Sequence, residues 1–150
     1  MPLPELSVMP ASAGEVIDLR HAVLRAGLPR ETAIFPGDEE ATALHFVARQ
    51  SANGHVVGCV TLHLNDWKGE PAYQLRGMAV DPQFQRRGVG RLLLHAVDAA
   101  TRAPGSPTAL LWCNARTPAI PFYAAQGWQA VSDVFDIPSA GPHVKMIKRP

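Results

Sequence analysis

The sequence predicts an α/β fold of the α+β type, with a mixed, mostly antiparallel central sheet of about six to seven strands and about four flanking helices. Three observations predict this class. Runs of strand-forming residues follow one another between residues 43 and 80. Helical apolar spacing appears before these strands and again after residue 88. A continuous apolar run then follows the second helix, so the chain must cross back over the sheet.

The length and composition fit one domain spanning residues 1–150. Apolar residues make up 47% of the chain and charged residues 18%, which is the balance of a globular protein rather than of a disordered one. No apolar run approaches the roughly 18–20 residues of a membrane span, and the N-terminus lacks the pattern of a signal peptide. We therefore expect a cytoplasmic protein with no membrane partner. The net charge of +1 also gives no general reason to expect nucleic-acid binding.

The cysteines and histidines do not indicate a disulfide or a metal site. Cys59 and Cys113 each lie in an apolar strand-like run, where we expect reduced, buried thiols that pack as small hydrophobes. A disulfide or a nucleophilic cysteine is the alternative. The histidines lack the short helical or finger-type spacings that zinc ligands use, so we expect no metal. Those considered are His45, His55, His63 and His143.

The N-terminal part of the chain is predicted to form a strand, a helix and a loop. Residues 5–9 are a short apolar strand candidate. Ser12 and Glu15 then match the S-x-x-E capping box ahead of apolar residues at helical spacing, and the helix should end near residues 27–29. Residues 28–41 contain prolines, a glycine and an acidic run. They are typical of a connecting loop with room for one helical turn, and a loop that covers a substrate is the alternative.

The middle of the chain is predicted to form three consecutive antiparallel strands. Residues 43–49 and 55–64 are rich in strand formers and are separated by a segment that contains Asn53 and Gly54. This dipeptide is a strong hairpin signal because both residues tolerate positive φ. A second connection leads to a strand at residues 73–80.

The strand at residues 73–80 leads into a helix at residues 88–102 with one apolar face. Residues 108–113 follow as a buried strand, expected to lie parallel to the first through a right-handed crossover. Thr117 and Pro118 resemble an N-cap followed by proline at the first helical position, which predicts a short helix that ends at Gly127. Two further strands, 128–136 and 143–148, complete the chain.

The functional signal lies in the stretch from Tyr73 to Leu94, where a strand passes through a glycine loop into a helix. The first N–H groups of a helix have no internal acceptor and carry partial positive charge, so they bind phosphate. Gly88 and Gly90 would let a ligand approach the backbone. Arg86, Arg87 and Arg91 supply positive charge beside the loop.

Two common phosphate loops are excluded. A dinucleotide fingerprint would need a third glycine where Leu93 stands. A Walker-type loop would need Gly-Lys followed by Ser or Thr, and the chain has no such triplet. The remaining interpretation is an anion nest at the start of the helix.

The loop and a later block resemble the GNAT superfamily of acyl-CoA-dependent N-acyltransferases. Gln85-x-x-Gly88-x-Gly90 matches the family signature Q/R-x-x-G-x-G/A, and the preceding Met78-Ala79-Val80-Asp81-Pro82 is also typical of the family. Ala119-x-x-Phe122-Tyr123-x-x-x-Gly127-Trp128 is similar to the family's A-x-x-F-Y-x-x-x-G-F helix. Gly141-Pro142-His143-x-x-Met146 resembles a subgroup of uncharacterised bacterial acetyltransferases. The resemblance covers nearly the whole chain.

The resemblance implies a GNAT-like sheet splayed between residues 73–80 and 108–113, with acetyl-CoA as the acyl donor in the gap. Backbone groups of Met78 and Val80 would bind the pantetheine, and N–H groups of the glycine loop would bind the pyrophosphate. The implied cofactor-binding residues are Met78, Ala79, Val80, Gln85, Arg86, Arg87, Gly88, Val89, Gly90, Arg91, Asn114 and Tyr123. Asn114 is the less certain match, since many members carry Asn at the position of Arg116.

The resemblance also implies an N-acetyltransferase that acetylates a primary amine of a small molecule or a protein by direct attack. Tyr123 would be the acid that protonates the CoA sulfur, and the backbone N–H of Met78 would meet the oxyanion. The general base stays open among Glu70, Asp66, His63, His143 and water. Arg76 alternates with Gln74 and Met78 along its strand, and pointing into the acceptor pocket it would favour an acceptor with a carboxylate or phosphate.

Several alternatives remain at this stage. A different acyl donor or a hydroxyl acceptor would use the same loop, because the loop binds CoA and not the acyl chain. A non-catalytic acyl-CoA-binding module is the alternative from another class. The sequence does not decide between a monomer and a homodimer.

Overall fold

Three α-helices pack on an eight-stranded sheet in the part of the chain, residues 5–150, that the computed structural model describes. The helices are α1 (Ala13–Leu24), α2 (Val89–Arg102) and α3 (Ile120–Ala125). The strands are β1 (Leu6–Ala11), β2 (Leu44–Gln50), β3 (Val56–Leu64), β4 (Tyr73–Val80), β5 (Leu111–Arg116), β6 (Gln129–Ala130), β7 (Phe135–Ile137) and β8 (Gly141–Lys148). Short 3₁₀ turns lie at Arg30–Ala33, Pro82–Phe84 and Thr117–Ala119.

The strand order is β1-β2-β3-β4-β5-β8-β6, and β7 also pairs with β8. The first four strands are antiparallel neighbours, β4 and β5 are parallel, and β5 and β8 are antiparallel. In the β2–β3 hairpin the N–H of Gly54 donates to the carbonyl of Gln50 at 2.8 Å. The predicted α+β class, hairpin and parallel pair joined through a helix are therefore confirmed.

Predicted boundaries differ from the structure at both ends of the crossover region. The strand predicted from residue 108 begins at Leu111. Thr108 instead belongs to the connection, because its hydroxyl donates to the carbonyl of Pro71 at 2.8 Å and accepts from the N–H of Leu110 at 3.0 Å. Thr117 is not a helix cap, because it is already the first residue of the 3₁₀ turn that precedes α3. Near the N-terminus, α1 ends slightly before residues 27–29.

The predicted strand at residues 128–136 is divided into β6 and β7. The pairing with β8 is interrupted at Ser132, whose hydroxyl accepts the N–H of Lys145 at 2.8 Å in place of a backbone carbonyl. A side-chain acceptor of this kind ends a ladder because it replaces the neighbouring strand's own acceptor.

The two faces of the sheet carry different helices. On one face, α2 buries Leu93 and Val97 against strand residues such as Val60 and Leu111. On the other face, α1 buries Val16 and Ile17 in a second cluster with Val47, Cys59 and Ala79 of the sheet. Ser12 begins α1 as predicted, with its N–H and hydroxyl both donating to Glu15 at 3.0 Å. No helix in residues 5–150 is long and apolar enough to cross a membrane.

A buried ion pair fixes the long loop after α1. The Arg20 guanidinium is fully buried and donates to Asp38 at 2.7 Å, to the carbonyl of Ala33 at 2.8 Å and to the Thr61 hydroxyl at 2.8 Å. His45 bonds the same hydroxyl at 2.7 Å and the carbonyl of Asp38 at 2.9 Å. These bonds tie helix, loop and sheet together.

A bulge interrupts β4. Cys59 faces Ala79 and Thr61 faces Arg76, so Gly77 and Met78 together oppose the one residue between them on β3. Gly77 has φ of +63°, which a glycine adopts without strain. A Cβ at this position would lie 2.8 Å from Nε of Arg20.

The bulge corrects one prediction. Gln74, Arg76 and Met78 were expected on one face by simple alternation, but the extra residue reverses the alternation after Arg76. Met78 and Val80 pack against the cluster on the α2 face, whereas Ala79 packs in the α1 cluster. Arg76 and Met78 therefore lie on opposite faces of the sheet.

Asp38→Asn should lower the free energy of unfolding by about 3–5 kcal/mol, because it leaves the Arg20 charge buried without its partner. Asp18→Asn is the matched control. Asp18 pairs with Arg30 at 2.6 Å at the surface, and removing an exposed pair should cost less than about 1 kcal/mol. Urea unfolding followed by circular dichroism measures both changes. Equal, small losses in the two variants would contradict the importance of the buried pair.

Candidate active site

The parallel strands β4 and β5 separate soon after they meet. Their register is limited to Tyr73 opposite Leu111 and Gln74 opposite Trp112. Beyond these pairs a cavity of about 470 Å³ opens between them. We call this cavity the β4–β5 gap; its lining residues come from β4, β5, α3, β8 and the loop after α1. The splayed sheet expected from the family resemblance is therefore present.

Within residues 5–150, no strand pairs with the edge of β4 that faces the gap after Gln74. A backbone edge of this kind can hydrogen-bond an extended molecule as a further strand would. Met78 lines the gap. The carbonyl of Val80, however, accepts the side-chain amide of Gln85 at 3.1 Å. Gln85 thus joins the glycine loop to the end of β4.

The loop from β4 to α2 has the shape of an anion nest. Arg86 (φ of +63°) and Gly88 (φ of +84°) adopt left-handed backbone conformations on either side of Arg87. No side chain caps α2, so the N–H groups of its first turn point outward without acceptors. Arg86, Arg87 and Arg91 are exposed, and none of them forms an ion pair within residues 5–150.

Glycine is needed at the two loop positions, Gly88 and Gly90, for different reasons. A Cβ at Gly88 would meet nothing within 4 Å, so its positive φ is what requires glycine. A Cβ at Gly90 would lie 3.0 Å from Cζ of Phe122. Gly90 therefore permits the close packing of α2 on α3, a role that the sequence pattern did not reveal.

Tyr123 lies where α3 meets the gap. Its side chain is buried, and its ring makes edge contacts with Phe122 at 5.2 Å and Trp128 at 5.3 Å between centroids. Tyr123 also lines the gap. Burial raises the pKa of its phenol, so the hydroxyl stays protonated and can donate a hydrogen bond into the gap.

The cysteines are free and buried, as predicted. Burial raises the pKa of both Cys59 and Cys113 to about 12. Cys113 lines the gap, but a thiol with this pKa is almost entirely protonated near neutral pH and is a poor nucleophile. The alternative of a cysteine nucleophile is not supported.

The four candidate bases differ in position. His143 lines the gap, and the lining residues do not include Glu70, Asp66 or His63. Glu70 instead pairs with Arg149 at 3.2 Å at the surface. His63 is buried 3.5 Å from Asp38, across from Gln74 on the neighbouring strand, and burial lowers its pKa.

The tautomer of His143 follows from one contact. Its Nδ1 lies 2.7 Å from the carbonyl of Gly141. A carbonyl only accepts, so Nδ1 carries the hydrogen and the neutral ring keeps a lone pair on Nε2. The ring is thus in a form that can accept a proton.

The far side of the gap contains residues that sequence reasoning did not single out. Arg25, Phe35 and Pro36 enter from the end of α1 and the loop after it. The long-range contact that brings them to the gap leaves no local sequence signal. Asn114 and Arg116 also line the gap, and Oδ1 of Asn114 accepts the Lys145 ammonium at 3.1 Å.

A second cavity, of about 530 Å³, lies between α1, the β2–β3 hairpin and the loop after β4. Glu15, Asp18 and Asp81 line it. Three carboxylates repel phosphate, and the cavity contains neither Tyr123 nor the nest. Within residues 5–150 no cluster of three or more His, Cys, Asp or Glu could hold a metal ion.

Solved structures with this architecture share the fold of the chain at low sequence identity. An acyl-CoA N-acyltransferase from Pseudomonas aeruginosa superposes with a TM-score of 0.75 at 17% identity, covering 96% of this chain and 99% of the other. A structure described as histone acetyltransferase HPA2 and related acetyltransferase, from Corynebacterium glutamicum, gives 0.78 at 17% identity, covering 99% and 97%.

Sequence comparison gives the family. A Bacillus subtilis (strain 168) protein, Uncharacterized N-acetyltransferase YitI, is 27% identical over 144 residues and is matched over 95% of both chains. The family model described as Acetyltransferase (GNAT) family matches residues 17–128, which include the glycine loop, Tyr123 and both strands, β4 and β5, between which the gap opens. The chain is therefore a member of the GNAT family of acetyltransferases.

Proposed function

We propose that the protein is an N-acetyltransferase that moves the acetyl group of acetyl-CoA to a primary amine of a small molecule or a protein. The observation that carries this proposal is the convergence of three features on one cavity. Met78 on the unpaired β4 edge and the buried Tyr123 line the β4–β5 gap, and Gly90 in the first turn of the uncapped α2 lies against Phe122, which also lines it. Family membership supplies the reaction class.

The donor would bind in two parts. The pantetheine would lie along β4 and bond the backbone beside Met78, Ala79 and Val80, with Asn114 on the opposite wall. The pyrophosphate would accept hydrogen bonds from the N–H groups of the nest between Arg86 and Gly90. The three exposed arginines of the loop would add charge-assisted contacts to phosphate oxygens.

Acetyl transfer then requires a neutral amine and a stabilised leaving group. The amine lone pair attacks the thioester carbon, the C–S bond breaks, and the sulfur leaves as thiolate. The backbone N–H of Met78 would donate to the oxyanion. Tyr123 would act as the acid, donating its phenolic proton toward the sulfur as negative charge develops. No covalent enzyme intermediate is needed.

The attacking amine must lose a proton, because alkyl amines are mostly protonated near neutral pH. His143 is our candidate acceptor. Its lone pair on Nε2 and its place in the gap support this role, whereas Glu70 is held in a surface ion pair and His63 is buried beside Asp38 and does not line the gap. A bound water could carry the proton from the amine to the imidazole.

A screen of amine acceptors with acetyl-CoA, measured by release of the CoA thiol, tests the function directly. Turnover of an amine confirms it. Tight binding of acetyl-CoA without turnover of any amine or hydroxyl acceptor would instead favour the non-catalytic acyl-CoA-binding module. Turnover only with longer acyl-CoA donors would revise the donor and keep the reaction class.

Gly88→Glu should weaken acetyl-CoA binding by a hundredfold or more, about 2.7 kcal/mol, because it adds a carboxylate and a strained φ at the nest. Gly105→Glu is the matched control. Gly105 has φ of +89° and open space around its Cα, but it lies in the turn after α2. Calorimetric titration measures both affinities. Unchanged affinity in Gly88→Glu would remove the basis for a donor site at this loop.

Tyr123→Phe should lower kcat by about a hundredfold while acetyl-CoA affinity stays nearly constant, because phenylalanine keeps the edge contacts and loses only the donor. Tyr73→Phe is the control, since Tyr73 is also buried in the same core but lies outside the gap. Steady-state kinetics and titration separate the two effects. A parallel loss of affinity and turnover would assign Tyr123 to packing or donor binding.

His143→Gln should lower kcat/KM by about a hundredfold for amines of high pKa and much less for amines of low pKa, which are already neutral. The exposed His95→Gln is the control. A series of acceptors that differ in amine pKa, assayed at constant pH, gives the comparison. A uniform loss over the whole series would show that His143 shapes the site without accepting the proton.

A further inference from the structure

Three arginines from separate elements line one side of the β4–β5 gap. Arg25 follows α1, Arg76 lies on β4, and Arg116 ends β5. They are far apart in the sequence, and the fold alone brings them to one cavity. A cluster assembled in this way is not the solvated charge run of a single helix face.

Their hydrogen-bond partners are neutral. Arg76 donates twice to Oε1 of Gln74, at 2.7 and 3.0 Å, and reaches the carbonyl of Pro36 at 3.5 Å. Arg25 donates to the carbonyl of Leu24 at 3.0 Å. Within residues 5–150 none of the three guanidinium groups that line the gap forms an ion pair.

The cavity contains no compensating carboxylate among the described residues that line it. The nearby Asp38 is buried and already bonded to Arg20. Burial lowers the pKa of Arg25, and the charges of Arg116 and Arg20 lower it further. The effect of Arg116 shows that it lies close enough to Arg25 for their charges to interact.

These arginines are separate from those of the donor loop. The bulge places Arg76 on the opposite face of β4 from Met78, which packs with the α2 cluster. Arg25 approaches together with Phe35, whose ring lies 5.3 Å from its guanidinium carbon. The nest and its three exposed arginines already supply phosphate contacts at the start of α2. The second cluster therefore belongs to different elements from the donor loop, and its member on β4 lies on the opposite face of the strand from Met78.

We propose that the acceptor is an amine that also carries an anionic oxygen group, a carboxylate or a phosphate, which Arg25, Arg76 and Arg116 bind. Guanidinium groups match both anions through paired N–H donors. The same charges repel cationic acceptors such as polyamines and lysine-rich peptides. Binding the anion would hold the amine in the gap near Tyr123. This inference rests on the proposed acetyltransferase function and names its acceptor class.

Matched acceptor pairs test the proposal. L-serine is compared with L-serinamide for a carboxylate, 2-aminoethyl phosphate with ethanolamine for a phosphate, and spermidine serves as the cationic case. In each pair the anionic member should have a kcat/KM at least about tenfold higher, the effect of one charge-assisted contact. The pair with the larger ratio of kcat/KM values, anionic over neutral, shows whether the site prefers a carboxylate or a phosphate. Equal or better use of neutral or cationic amines would overturn the proposal.

The double variant Arg25→Gln with Arg116→Gln should bring the ratio within each pair toward one, mainly through KM. Arg102→Gln removes the same charge from an exposed position at the end of α2 and should leave the ratio unchanged. Thermal melting checks that the variants fold. Acetyl-CoA affinity should stay constant in the double variant, and a clear loss there would assign these arginines to the donor and overturn the proposal.

If none of the acceptors is acetylated, a binding measurement still tests the proposed anion site. Succinate and inorganic phosphate are titrated calorimetrically into the CoA-saturated protein and into the double variant. Binding that the double variant loses supports the anion site, and no binding of either anion overturns it. If the protein does not bind acetyl-CoA at all, the proposed function fails, whereas titration of the unloaded protein still decides whether the anion site exists.

Discussion

The buried guanidinium of Arg20 is the constraint on which the loop after α1 and the bulge in β4 depend. It joins Asp38 of the loop after α1 to Thr61 of β3, and its carbon Cζ lies 4.0 Å from the centroid of the Phe35 ring. It also occupies the space beside Gly77 that any Cβ would need. A buried charge must keep its partners. One side chain therefore fixes the loop, the sheet and the bulge relative to one another.

The bulge in β4 then divides the site between two faces of the sheet. By reversing the alternation, it turns Met78 toward the α2 face and leaves Arg76 on the α1 face. The nest at the start of α2 would bind the proposed donor on the first side, and Arg25, which follows α1, would bind the proposed acceptor on the second. A donor and an acceptor entering from opposite sides would meet where β4 and β5 separate.

Local patterns predicted most of the fold. The capping box at Ser12, the hairpin at Asn53 and Gly54, and the helix after the glycine loop all depend on short-range chemistry, and the structure contains them. The predicted orientation of Met78 was wrong, because the bulge that reverses it depends on which residues pack against the strand. The role of Gly90 depends on Phe122 of another helix. Contacts between distant parts of the chain leave no recognisable pattern in a short stretch of sequence.

The site was predictable only as far as its motifs extend. The anion nest followed from the residues of the glycine loop, its assignment to CoA and the role of Tyr123 came from a family resemblance, and these roles stay predictions. The sequence contains Arg25 and Arg116 but does not show that they share a cavity, since 90 positions separate them. Choosing His143 among the possible bases likewise required knowledge of which side chains line the gap.

The short pairing between β4 and β5 would make the proposed donor a structural partner as well as a reactant. The antiparallel part, from β1 to β4, and the part containing β5 and β8 share a backbone register at two positions only. A pantetheine that lies along β4 would extend the short contact between β4 and β5 and would link the two parts of the sheet. Ligand at 100 times its Kd adds about 2.7 kcal/mol to the free energy of unfolding. Cofactor supply would then govern the lifetime of the folded protein, and a cell depleted of acyl-CoA would hold less of it.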